Sequence, residues 1–285
     1  MNTMNPTSYL CYSLKKKSVA LMLIFSIFFI PQVSNAKIEN EKEIVSVNFL
    51  SGNKVSDMTI FGAIQFKLSP GWKTYWKSPG PLGVKPLIDW SKSSNIQDIE
   101  FFWPTPKIFH QYDTKVIGYE NIVTIPIKIT KKIRAKTTFL NVYLEFGVCS
   151  DICLIKTAYV HSLISDTLPH KKTSLITKAF EKLPSKITDQ AFSKSKCSIE
   201  KKNGDLTVIY SLVLQKKPNS KPAMVLEYTF SDQHFENQTS EVEGKNLIIR
   251  ASLNNIYKEE GIIERDRLIA ILILENKGFE IVGCS

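Results

Sequence analysis

Short apolar segments that alternate with polar positions run through most of the chain, and turn residues separate them. Segments rich in β-branched and aromatic residues occupy 44–50, 59–68, 99–103, 122–129, 137–146 and 157–164. In Asn141-Val142-Tyr143-Leu144-Glu145-Phe146 one face collects Val142, Leu144 and Phe146, the period of two expected of a half-buried strand. Ser51-Gly52-Asn53, Ser69-Pro70-Gly71 and Ser78-Pro79-Gly80-Pro81 supply the turns between such segments. Short strands at this spacing predict an antiparallel β-sandwich. Pro126 falls inside 122–129 and cannot donate to a ladder, so it is expected at an edge or a bulge.

Beyond residue 163 the pattern changes. Leu175, Ile176, Ala179, Phe180 and Leu183 recur at helical spacing until Pro184, which predicts one short helix in a linker. Strand signals return from Ile199, over 206–214, 223–230, 247–252, 268–275 and 279–282, with Asn203-Gly204-Asp205 as a hairpin turn. The expected fold class is all-β, an antiparallel sandwich followed by a second, smaller β domain. The expected boundaries are 37–166 for the first domain, 167–195 for the linker and 196–285 for the second domain.

The first 36 residues read differently. Lys15, Lys16 and Lys17 precede an apolar run over 19–30, Pro31 breaks it, and Ser34-Asn35-Ala36 places small residues at a cleavage position. The run is too short for a bilayer span and has the length of the apolar core of a secretory signal. Residues 1–36 are therefore expected to be a signal peptide on an exported protein, with an uncleaved N-terminal anchor as the competing reading. The formal net charge is +10, spread as pairs such as Lys131-Lys132, Lys201-Lys202 and Lys216-Lys217. Scattered pairs of this kind read as solvated surface, and export separates the chain from DNA and RNA, so no nucleic-acid partner is expected. No G-x-S-x-G, Gly-rich phosphate loop or paired-carboxylate segment supports a hydrolase or nucleotide enzyme.

Of five cysteines, Cys11 lies in the leader, which leaves Cys149, Cys153, Cys197 and Cys284. An even number in an exported chain points to disulfides. Four cysteines allow three connectivities, and 149–153 with 197–284 is the sensible partition. A Cys197–Cys284 bridge would close a long loop, worth about 4–5 kcal/mol in the chain-entropy description, and reads as structural. Cys149 and Cys153, in Glu145-Phe146-Gly147-Val148-Cys149-Ser150-Asp151-Ile152-Cys153-Leu154, can close only a small ring. Loop-closure stabilisation is smallest for short loops, so this pair points to chemistry rather than stapling.

In an exported protein such a pair can exchange electrons by thiol–disulfide attack through a mixed disulfide. The exchange needs one thiol open to attack and a second within reach, and three intervening residues allow the bridge only if they turn, which Ser150-Asp151 permits. Lys156 would favour a thiolate and Asp151 would oppose one. An inert short disulfide is one alternative. Zinc is another, although two thiols without a second pair leave its shell incomplete, and His110, His161, His170 and His234 show no ligand spacing. No cofactor and no metal are expected.

These residues carry a family resemblance. Gly71-Trp72-Lys73-Thr74-Tyr75-Trp76-Lys77-Ser78-Pro79-Gly80, Asp89-Trp90-Ser91, Trp103-Pro104-Thr105-Pro106 and Ile117-Gly118-Tyr119 follow one another before the Cys149–Cys153 segment. Over roughly 40–165 this order resembles the periplasmic N-terminal domain of the thiol:disulfide interchange protein DsbD. It is similar in particular to the ScsB-like variant of the suppressor-of-copper-sensitivity group, whose tight cysteine spacing it shares. The resemblance implies a periplasmic immunoglobulin-like sandwich in which Cys153 forms mixed disulfides and Cys149 resolves them. It implies a flexible cap loop over 107–117, with Phe109 and Tyr112 as the shielding aromatics and Tyr75 beside the cysteines. The partners it implies are a membrane-embedded thiol electron donor and periplasmic thioredoxin-like or disulfide isomerase proteins. Since these 285 residues hold neither a membrane conduit nor a thioredoxin-like domain, the donor is expected to be a separate protein. The whole would act as a reductase-like component of a thiol–disulfide oxidoreductase system. The reading from a different class is a non-catalytic periplasmic binding module with a static disulfide.

Overall fold

The computed structural model describes residues 43–111, 114–164, 173–186, 191–202, 205–228, 235–253 and 264–284. The expected leader, 1–36, lies outside the described residues. Two antiparallel sheets face each other in the first half. One has the order β1 (Val45–Ser56), β2 (Thr59–Leu68), β8 (Ile122–Lys131), β5 (Ile96–Phe101). The other has the order β10 (Cys153–Ile164), β9 (Thr138–Cys149), β3 (Lys73–Tyr75), β7 (Thr114–Glu120), β6 (Lys107–Gln111), and the short β4 (Leu87–Asp89) also pairs with β9. This is an immunoglobulin-like all-β sandwich.

Strand β9 shows how the sequence makes the core. Leu140, Val142, Leu144, Phe146 and Val148 alternate inward and are all buried, meeting Ile60, Ile64, Phe66, Ile125 and Ile127 from the facing sheet. On the outer face of the first sheet, α1 (Thr173–Phe180) sets Ile176 over Leu50 and Ala63. Gly52 lets the helix come this close, because a Cβ there would lie 2.8 Å from Ile176 Cδ1.

Pro126 departs from its expected place. It lies in a central strand, paired with Ala63 in an unbroken β2–β8 register. Its carbonyl accepts from the Phe102 N–H at 2.9 Å, so its nitrogen faces the same side. That side lies just past the last β5–β8 pair, Phe101 with Ile127, where the ladder requires no donor. The segment 107–117 also differs from the cap loop that the resemblance implies. It forms a hairpin of β6 and β7, registered from Lys107 opposite Gly118 to Gln111 opposite Thr114.

The second half repeats the two-sheet arrangement at smaller size. Its first sheet has the order β11 (Phe192–Lys202), β12 (Asp205–Leu214), β15 (Asn246–Leu253), β14 (Phe235–Glu243), and its second β13 (Ala223–Tyr228), β16 (Leu268–Leu274), β17 (Lys277–Val282). Tyr210, Leu212, Met224, Leu247, Ile249, Leu268 and Leu272 fill the space between them. Strand β16 is apolar at every position, and both of its faces are used. Leu268, Ala270 and Leu272 point into this core, while Ile271, with Val225 of β13, joins the core cluster of the first sandwich. The Lys77–Glu227 ion pair at 2.6 Å and the Lys115 Nζ donation to the Gln238 carbonyl at 2.9 Å add polar ties between the halves.

Candidate functional site

The cysteine pair sits at the tip of the β9–β10 hairpin. Residues 150–152 form the loop, in which the Ser150 N–H donates to the Ile152 carbonyl at 3.0 Å. Cys149 and Cys153 are directly opposite one another in the register, with Cα atoms 4.1 Å apart, and they are joined as a disulfide. The two ends of that bond meet different surroundings. Cys149 is 4% exposed, whereas Cys153 is exposed at the start of the edge strand β10.

The burial of Cys149 has a local origin. Strand β9 faces the core through its even-numbered residues, and on its other face only Gly147 and Cys149 are buried, at the end where β3 pairs beside it. Lys73 is opposite Cys149 and Thr74 opposite Val148, and the Thr74 hydroxyl donates to the Gly147 carbonyl at 2.9 Å. Tyr75 then lies over Gly147, where a Cβ would be only 2.6 Å from the ring. Glycine is therefore required at 147 for the ring to rest on the strand. Tyr75, Val116 and Cys149 form a small buried cluster with Val84 and Phe109 packed against it.

Among the described residues, two side chains make polar contacts to the sulfurs of this pair. The Tyr75 hydroxyl is 3.6 Å from Cys153 Sγ and must donate, since a disulfide sulfur has no proton. Burial holds the pKa of Tyr75 above its usual value, which keeps that hydroxyl protonated. Gln111 Nε2 donates to Cys149 Sγ at 2.9 Å and to Cys153 Sγ at 3.0 Å. Lys73 Nζ, from β3, lies 5.4 Å from the centre of the ring of Phe109, which shares β6 with Gln111, a cation–π contact. Burial and the nearby Lys221 lower the pKa of Lys115, whose ammonium is tied to the second half.

The structure thus brings Tyr75 and Phe109 to the Cys149–Cys153 pair. Tyr112 lies outside the described residues. Cys197 and Cys284 form the second disulfide, Cα atoms 4.9 Å apart, within the core of the second half. Gln111 was missed by the sequence reading. A hairpin assignment for 107–117 would have found it, because a period of two puts Gln111 on the face that carries Phe109. Among the described residues no cluster of three or more His, Cys, Asp or Glu side chains gathers as a metal site.

Fold and site together define an immunoglobulin-like domain with a half-exposed disulfide at one pole. Residues 41–164 match the family model for the thiol:disulfide interchange protein DsbD, N-terminal. The chain is also similar to the crystal structure of the N-terminal periplasmic domain of ScsB from Proteus mirabilis. The TM-score is 0.71 at 21% identity, covering 86% of this chain and 96% of that one. At that coverage the shared fold extends beyond residue 164 into the second half, further than the resemblance read over 40–165. No match is found among curated protein sequences.

Proposed function

We propose that the chain is a periplasmic thiol–disulfide exchange protein. It passes reducing equivalents through Cys149 and Cys153, between a membrane-embedded thiol donor and thioredoxin-like or disulfide isomerase partners. The single observation that carries this reading is the unequal exposure of the two sulfurs, one open to attack and one held behind it. The compartment follows the periplasmic domain to which the chain is similar, with residues 1–36 as the export signal, 37–166 as the redox domain, 167–195 as linker and 196–285 as a second β domain.

The chemistry proceeds in two displacements. A donor thiolate attacks Cys153 Sγ, forms a mixed disulfide and expels the Cys149 thiolate, which takes a proton from water. A second donor thiolate then attacks the donor sulfur of that bond, leaving Cys149 and Cys153 as a dithiol that has gained two electrons and two protons. Running the same steps with a partner disulfide delivers those electrons onward. The exposed surface beside Cys153 suits a protein partner. Ile152, Ile155 and Tyr159 are 60%, 62% and 68% exposed, and any protein whose sulfur reaches Cys153 must cover Ile152 and Ile155.

Cys149→Ala removes the resolving sulfur, so the mixed disulfide through Cys153 should accumulate. Trapping in the periplasm followed by mass spectrometry of Cys153-linked species is expected to recover a thioredoxin-like or membrane thiol protein. Recovery of no Cys153-linked partner, from cells in which the variant is folded and exported, sinks the exchange reading in favour of a static disulfide.

A further inference from the structure

The two sulfurs are set among different hydrogen-bonding groups. Cys153 Sγ is approached by two donors, Gln111 Nε2 at 3.0 Å and the Tyr75 hydroxyl at 3.6 Å. Cys149 Sγ shares the Gln111 amide at 2.9 Å, but its other polar neighbour is the Ser150 carbonyl at 3.6 Å. A carbonyl only accepts, so it serves a thiol S–H and disfavours a thiolate, whereas amide and hydroxyl donors favour the thiolate. When the bond opens, Gln111 still has one hydrogen for each sulfur. Among the described residues, only Cys153 then has a second donor, and only Cys149 has an acceptor.

We infer that Gln111 is a catalytic residue of the pair: with the Tyr75 hydroxyl, its side-chain amide holds the negative charge of the dithiol state on Cys153, while Cys149 keeps its proton against the Ser150 carbonyl. This rests on the exchange reading and adds which sulfur is charged and which group places the charge. The step it serves is attack on a partner disulfide. The Cys153 thiolate bonds to one partner sulfur and expels the other as a thiolate, which is then protonated by water. Cys149 afterwards loses its proton to solvent and closes on Cys153 Sγ, releasing the partner as a dithiol and returning two electrons to it.

The ionisable groups on the surrounding elements are Lys73 and Tyr75 on β3, Lys107 and His110 on β6, Lys115, Tyr119 and Glu120 on β7, Tyr143 and Glu145 on β9, Asp151 in the loop, and Lys156, Tyr159 and His161 on β10. Lys73 is directed over the Phe109 ring and Lys115 to the Gln238 carbonyl. An uncharged amide in contact with both sulfurs therefore stands where a cation would otherwise be sought. Gln111 is the last residue of β6 and only half-buried, so its replacement leaves the cores intact.

The test needs no partner. The full chain is reduced with a phosphine, and the pH dependence of iodoacetamide alkylation is followed at each cysteine by peptide mass spectrometry. In the wild type, Cys153 is expected to react first and to titrate below Cys149. Gln111→Ala is expected to slow Cys153 alkylation at neutral pH about tenfold, the size of a charge-assisted hydrogen bond lost. Gln111→Glu keeps the side-chain length and should slow it further, because a carboxylate then faces the thiolate. A Cys153 profile unchanged in both variants overturns the assignment, and so does a profile in which Cys149 shifts instead. Neither result bears on the exchange reading, whose own test is the trapped partner.

Discussion

Cys197–Cys284 and Cys149–Cys153 divide the work of a disulfide between them. The first spans 87 residues, ties β11 to the segment after β17, and has both residues buried in the core of the second half. Arg265 donates to the Cys284 carbonyl at 3.1 Å beside it. The second spans four residues, joins two strands already paired by a hairpin, and leaves one sulfur outside. Closing a long loop restricts the unfolded chain far more than closing a hairpin that the ladder already holds. Loop length and burial, rather than the S–S bond itself, separate a staple from a reagent.

The largest contrast expected is kinetic. An attacking thiolate must reach a sulfur, and only Cys153 is accessible in the folded state. Under native conditions dithiothreitol is expected to reduce Cys149–Cys153 at least about a hundredfold faster than Cys197–Cys284. Timed alkylation with peptide mass spectrometry measures both rates in one sample, and equal rates would erase the distinction. The next contrast is thermodynamic and runs the other way. Replacing Cys197 and Cys284 by alanine should cost about 4–5 kcal/mol, against about 2 kcal/mol for Cys149 and Cys153 replaced together. Urea unfolding monitored by tryptophan fluorescence gives both values, and a reversed order would make the short bridge the staple.

Much of the sandwich was legible in the sequence because its long strands carry a period of two. In β9, five alternate apolar residues had to share one face, and they do. The short strands were not legible. Three residues in β3 or β4 have no measurable period, and β14, with the sequence FENQTSEVE, is nearly all polar at the edge of its sheet. The cysteines were found by their number and spacing. Which sulfur is buried was not readable, because Tyr75, Val116 and Phe109 close over Cys149 from three other strands. Gln111 was overlooked for a related reason: a lone amide between His110 and Tyr112 looks like a solvated loop residue until β6 and β7 are paired. Pro126 misled because a rule about ladder donors was applied to the whole strand, whereas it governs only the side on which that nitrogen points.

The smallest expected effect concerns what keeps the reagent from reacting indiscriminately. Phe109 is half-buried against Tyr75, Val116 and Cys149, and the Lys73 ammonium lies over its ring. Phe109→Ala opens the covered side of the pair and removes this cation–π contact, worth about 0.5–1 kcal/mol at a partly exposed site. Small-thiol reduction of Cys149–Cys153 is expected to accelerate by only about two- to threefold, because the attacked sulfur is already exposed and the ring shields its neighbour. Stability should fall by about 1–2 kcal/mol, below the cost for a fully buried phenylalanine. The rate at Cys197–Cys284 should not change, which separates lost shielding from general loosening. Phe109→Leu retains most of the volume and is expected to react like the wild type. If both variants reduce at the wild-type rate, the ring contributes packing alone.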